Sequence, residues 1–185
     1  MSKKIGLLLG SFDPIHNGHV TMAAAATNLG LVDKVFFVPS AQNPWKAKST
    51  NFMIRCAMIQ RAIEGESEFF LSPVELELEA PYYTYKTLEL LQKQYPQDEF
   101  SLIVGSDVAL SIKDWENGDW ILQNFPLITV NRPGCDEPGI VDIPLEMNTS
   151  STLIRAKVKN GESIVDLVPP GVDEIIECIK LYRNE

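Results

Sequence analysis

The sequence predicts a doubly wound α/β domain, a parallel sheet covered by helices on both faces, with a small helical part at its C-terminal end. Three observations lead there. Apolar runs too short for a helix and closed by glycine or proline alternate with amphipathic or alanine-rich stretches of helical length. The first strand, helix and strand, at residues 5–9, 17–29 and 35–38, make a βαβ unit, which implies parallel pairing through a right-handed crossover. With 185 residues, 45% of them hydrophobic, the chain can bury one substantial core but not a second, so residues 1–185 are expected to form a single domain.

Residues 5–9 are continuously apolar and stop at Gly10, as a strand buried on both faces does. Residues 17–29 are rich in alanine and predict a close-packing helix. Residues 35–38 end at Pro39 and form the second strand. Over 52–63, Phe52, Cys56, Ile59 and Ile63 recur at spacings of three and four, an amphipathic helix. Residues 69–78 hold strand-like pieces broken by Pro73. Residues 84–95 put Leu88, Leu91 and Tyr95 on one stripe, and Pro96 stops that helix. Residues 99–104 are another buried strand before Gly105. Short helices follow at 108–113 and 118–123, then a strand at 127–130. Residues 135–147, with Pro138 and Pro144, read as loop, and the chain closes with helices at 152–159 and 172–181. In such folds ligands lie at the carboxyl ends of the strands.

A net charge of −9 and a pI near 4.8 argue against holding DNA or RNA by counterion release, so bound phosphate needs a local site. Cys56, Cys135 and Cys178 are odd in number and far apart, neither a disulfide framework nor a CxxC metal pair. The N-terminal lysines and the run at 5–9 superficially suggest a secretory signal. That run is short and is broken by Gly10, Ser11 and Asp13, so no membrane role and a cytoplasmic location are expected.

Residues 10–19, GSFDPIHNGH, fall where the first strand turns into the first helix, the place where α/β folds bind phosphate. The stretch is neither a Walker A loop nor a GxGxxG fingerprint. Both histidines of the chain, His16 and His19, stand here three apart. Gly18 leaves the backbone open to a close approach, and His19 falls in the first helical turn, where free N–H groups attract anions. Taken singly, His16 caps a turn and His19 packs on the sheet. Two imidazoles with two glycines and the hydroxyl of Ser11 point instead to phosphate. Zinc is disfavoured because the spacing is not i, i+4 and no third ligand is near.

Residues 149–155, TSSTLIR, form the second constellation, with four hydroxyls leading into a helix that carries Arg155. A serine there is an ordinary N-cap. A cation in a first helical turn opposes the dipole by about 0.3 to 1 kcal/mol and calls for an anion to neutralise it.

The first stretch resembles the HxGH signature of adenylyl- and cytidylyltransferases, and the second resembles their SSTxIR signature. The pieces between them, NPWK to Lys46, YYTYKT around Thr84, VGSD to Asp107, KDW to Trp115 and NRPG with Arg132, are similar to bacterial nicotinate-nucleotide adenylyltransferase over the whole chain. The resemblance implies a Rossmann-like nucleotidyltransferase that moves AMP from ATP to nicotinate mononucleotide, releasing pyrophosphate. It implies His16, His19, Lys46 and Arg155 as catalytic residues. Gly10, Ser11, Phe12, Gly18, Gly105, Asp107, Ser151 and Thr152 are implied around ATP, and Thr84, Trp115 and Arg132 around the acceptor. Three departures bear on the acceptor: Trp45 before the lysine, Tyr83 before the threonine and Glu116 after the tryptophan. Pantetheine-phosphate adenylyltransferase, other HxGH nucleotidyltransferases and a noncatalytic nucleotide-binding protein are the alternatives. No protein metal site is expected, since no dense carboxylate cluster is evident and Mg2+ arrives with ATP. A homo-oligomer is compatible with all of this.

Overall fold

A computed structural model describes residues 2–41, 49–131, 142–144 and 149–183, with residues 131 and 142–144 described by their backbone. Six strands form one sheet in the order β3-β2-β1-β4-β5-β6, every neighbouring pair parallel. β1 (Lys4–Gly10) lies between β2 (Lys34–Pro39) and β4 (Glu99–Gly105), with Leu7 opposite Phe36 on one side and Leu102 on the other. The sheet grows outward through β3 (Phe69–Leu71) on one side, and through β5 (Leu127–Asn131) and β6 (Asp142–Pro144) on the other. Between β1 and β4 the order reverses, which opens a crevice at the carboxyl ends of both strands.

Strand residues alternate between two cores, as the period of two requires. Leu8, Val35 and Phe37 meet α1 (Asn17–Asn28), α2 (Phe52–Ala62) and α7 (Val172–Cys178) through Met22, Ala23, Ile59 and Ile176. Leu7, Phe36 and Val38 share the opposite core with Leu88 and Leu91 of α3 (Thr84–Gln94) and Ile121 of α5 (Gly118–Asn124). The continuous apolar run at 5–9 therefore serves both faces. The close approach of α5 to the preceding turn needs Gly118, because a Cβ there would lie 2.1 Å from the Ile112 carbonyl oxygen.

Four expectations require correction. Residues 74–77 form one 3₁₀ turn after Pro73 rather than a strand. α4 spans Ser106–Ser111 and gives way to a 3₁₀ turn at Ile112–Asp114, so this helix starts directly after Gly105. Residues read as loop contain β6; three residues ending in Pro144 show no periodicity, and at a sheet edge a proline's missing N–H is tolerated. α7 stops at Cys178 because Lys180 and Tyr182 take φ of +53° and +62°, where a right-handed helix cannot continue. Among the described residues no helix is long and apolar enough to cross a membrane.

α2 carries Arg55, only 1% exposed. Its Nε donates to the Thr50 carbonyl at 2.9 Å, Nη1 to that of Ser11 at 2.6 Å and Nη2 to that of Ser40 at 2.8 Å. Burial pulls its pKa below the ordinary guanidinium value, while the charges of Asp13 and Glu75 act the other way. Buried Glu75 in turn accepts the Ala41 N–H at 2.8 Å and the Thr87 hydroxyl at 3.0 Å; burial raises its pKa and these hydrogen bonds oppose the rise. The turns beyond β1 and β2 are thus tied to one cation. Arg55→Met should lower unfolding free energy by about 3 to 5 kcal/mol through stranded carbonyls and carboxylates, measured by denaturant titration against wild type.

Candidate active site

At the end of β1 the chain turns through Phe12, whose φ is +47°, and α1 begins after His16 in extended conformation at its N-cap. Phe12 is 1% exposed and packs in a T-shaped contact with the His19 ring at 4.9 Å between centroids, so it supports the imidazole. The rings of His16 and His19 stack at 3.7 Å with 27° between planes. His19 Nδ1 accepts the backbone N–H of His16 at 3.2 Å. A neutral imidazole accepting at Nδ1 carries its proton on Nε2, so the ring is set as a donor at that nitrogen. One ring nitrogen of His19 thus closes the helix start, which is the capping role in the structure.

The second constellation docks straight onto this turn. α6 (Ser151–Lys159) is capped by Ser150, whose side chain accepts the Leu153 N–H at 3.1 Å. The Ser151 hydroxyl donates to the Pro14 carbonyl at 2.9 Å, and Arg155 Nη1 donates to the Asp13 carbonyl at 2.7 Å. Arg155 Nη2 lies 3.4 Å from the Thr152 hydroxyl. Because α6 begins at Ser151, Arg155 is its fifth residue, one residue further in than expected and past the first turn. The dipole therefore weighs little on it, and its placement is explained by the carbonyl it meets. Ser151 likewise works as a fastener between the two motifs.

Other expected residues gather at the same edge. Gly105 closes β4 and is the N-cap of α4, whose first turn holds exposed Asp107. Thr84 begins α3, where backbone N–H groups lack helical partners. Trp115 follows the 3₁₀ turn, half-buried against the core that Leu88 and Ile121 share. Tyr83 stacks on Tyr85 at 6.1 Å and lies under the Lys86 ammonium at 5.6 Å. Lys46 and Arg132, with Trp45 and Cys135, lie outside the described residues. The chain on either side of 42–48 is anchored, at Ala41 by Glu75 and at Thr50, whose N–H reaches Asp13 Oδ2 at 3.1 Å.

Sequence reasoning missed Asp13, Arg55, Glu75 and Tyr182, all buried. Arg55 left one signal: it sits four residues before Ile59, on the apolar side of its helix, where an unpaired charge would not be tolerated. Among the described residues no group of three or more His, Cys, Asp or Glu could hold a metal ion. What the edge offers is donors: imidazole, guanidinium, hydroxyls and helix-terminal N–H groups. That is equipment for gripping an extended anion.

Comparison with known proteins agrees with this chemistry. The cytidylyltransferase-like family matches residues 7–157. A Clostridium tetani protein named "Probable nicotinate-nucleotide adenylyltransferase" is 37% identical, over 98% of this chain and all of its own. A Bacillus pumilus protein of the same name is 35% identical with the same coverage. Among solved structures, the Plasmodium falciparum nicotinic acid mononucleotide adenylyltransferase complexed with NaAD superposes with a TM-score of 0.84 at 22% identity, over 99% of this chain and 98% of that one. This last likeness establishes the shared fold.

Proposed function

The chain belongs to the cytidylyltransferase-like family and to the nicotinate-nucleotide adenylyltransferases, and we propose a residue-level account of how it transfers AMP from ATP to nicotinate mononucleotide. It is a nucleotidyltransferase of NAD biosynthesis. The acceptor's phosphate oxygen attacks the α-phosphorus of ATP in line, a new P–O bond forms, and the bond to the bridging oxygen breaks to release pyrophosphate. The attacking oxygen is already anionic near neutral pH, so the step needs no general base and no covalent enzyme intermediate. Positioning and charge stabilisation carry the rate.

The observation that carries the assignment of roles is the pair of bonds from α6 to the first turn, Arg155 to Asp13 and Ser151 to Pro14. They tie the helix that carries Arg155 to the turn that leads into His16 and His19, which supports the two signatures gripping one triphosphate. His19, donating from Nε2, faces the transferring phosphate, with His16 stacked on it. Arg155 and Thr152 hold the departing pyrophosphate, with Ser151 fastening their helix; Gly10, Ser11 and Gly18 approach the phosphates, and Lys46 assists them. Gly105 and Asp107 bound the ATP side at the crevice between β1 and β4. Trp115 offers an indole face to the pyridine ring and Thr84 a helix-terminal N–H to its carboxylate, with Arg132 nearby in the sequence pattern. Magnesium would arrive with ATP and neutralise charge on its triphosphate.

The deciding experiment is pyrophosphate release with ATP and, separately, nicotinate mononucleotide, nicotinamide mononucleotide and phosphopantetheine. Turnover confined to the last would overturn the acceptor. His19→Ala should lower kcat by about two orders of magnitude or more with the far-UV spectrum intact, and near-normal turnover removes that role. Trp115→Ala should raise KM for nicotinate mononucleotide by about three- to ten-fold with KM for ATP little changed; equal KM values in wild type and variant would rule out stacking.

A further inference from the structure

We propose that Tyr182, near the C-terminal end of the chain, is a positioning residue for adenylyl transfer, acting through Asp13. The proposal rests on the reaction assigned above. Tyr182 is 4% exposed, and its hydroxyl donates to Asp13 Oδ1 at 2.7 Å, a bond spanning 169 positions of sequence. Asp13 is itself 5% exposed, and its second oxygen, Oδ2, accepts the Thr50 N–H at 3.1 Å. The main-chain carbonyl of the same residue takes the Arg155 guanidinium. The Thr50 side chain also hydrogen-bonds the phenol, and the Arg155 charge is felt there. Asp13 therefore joins the HxGH turn, the chain that follows Lys46, and the helix of the second signature, and Tyr182 closes that ring from a fourth segment.

Two features separate this from ordinary core packing. The backbone at Tyr182 has φ +62° and at Lys180 +53°, strained conformations that non-glycine residues keep only where the surroundings demand them. The turn they make is pinned by Lys180 N–H to the Glu177 carbonyl and Leu181 N–H to that of Ile176, and it delivers the phenol to Asp13. Burial, and next the Asp13 charge, also raise the phenol's pKa well above its ordinary value, so it stays a donor throughout the working pH range. A hydroxyl that only filled space could be lost without consequence for rate. This one fixes the side chain of the residue at which three segments of the proposed site meet, two through its carboxylate and backbone turn and one through its main-chain carbonyl, and displacements near 1 Å at such groups are expensive in turnover.

The test is Tyr182→Phe, which keeps the ring and removes the oxygen, assayed beside wild type with ATP and nicotinate mononucleotide. The expected result is a kcat lower by on the order of ten-fold per folded molecule, with KM for nicotinate mononucleotide within about two-fold of wild type. A lowered Tm with unchanged kcat per folded molecule shows a structural role alone and overturns the proposal. In an Asp13→Asn background the tyrosine change should add little, since both act through one carboxylate; multiplicative losses overturn it too. Should the phenylalanine variant not fold, Asp13→Asn alone must show the kcat-selective loss, and normal kcat there is equally decisive. A wild-type enzyme that releases no pyrophosphate in the same assay refutes the assigned reaction rather than the tyrosine.

Discussion

The structure depends on one buried cation. The Arg55 guanidinium is almost wholly removed from water, and a charge in that position survives only if its donors are satisfied. They are satisfied by main-chain carbonyls of Ser11, Ser40 and Thr50, so the side chain dictates where the turns beyond β1 and β2 run relative to each other. Asp13 and Glu75 lie close enough to balance the charge, and each spends one oxygen on a backbone N–H of the same turns and the other on a hydroxyl, of Tyr182 and Thr87 respectively. A parallel sheet brings strand ends to one edge. This network decides their spacing once they are there.

On that frame polar residues divide into those that fasten and those that grip. Ser151, Asp13, Arg55, Glu75 and Tyr182 are engaged with protein partners and hold segments together. In the proposed function His19 and Arg155 do both: the His19 ring accepts the His16 N–H and the Arg155 guanidinium donates to the Asp13 carbonyl, so each is held in place before substrate arrives. Preorganisation of this kind is the condition under which electrostatic stabilisation is strong.

The residues proposed for the acceptor stand at element ends: Trp115 follows a short 3₁₀ turn made possible by Gly118, and Thr84 stands at the open start of α3. Tyr83 is taken up by Tyr85 and Lys86. Its bulk therefore goes into a local aromatic cluster beside the α3 start.

The order of strands and helices, the two-faced burial of β1, the two signatures and their chemistry were legible because each is local: a period, a glycine, a histidine spacing. Short elements were not, since three residues at β6 or one turn at 74–77 carry no period, and the end of α7 depends on where Tyr182 is anchored. Residues that grip substrate can be recognised by type, because phosphate asks for imidazole, guanidinium and hydroxyl wherever they occur. Residues that hold those groups in place cannot, because Asp13, Arg55 and Tyr182 acquire their meaning only from partners tens to more than a hundred positions away. The sequence alone determined the fold class and the reaction; the tertiary structure decided which polar atoms are committed to holding distant segments together, because hydrogen bonds between such segments form only after the chain has folded.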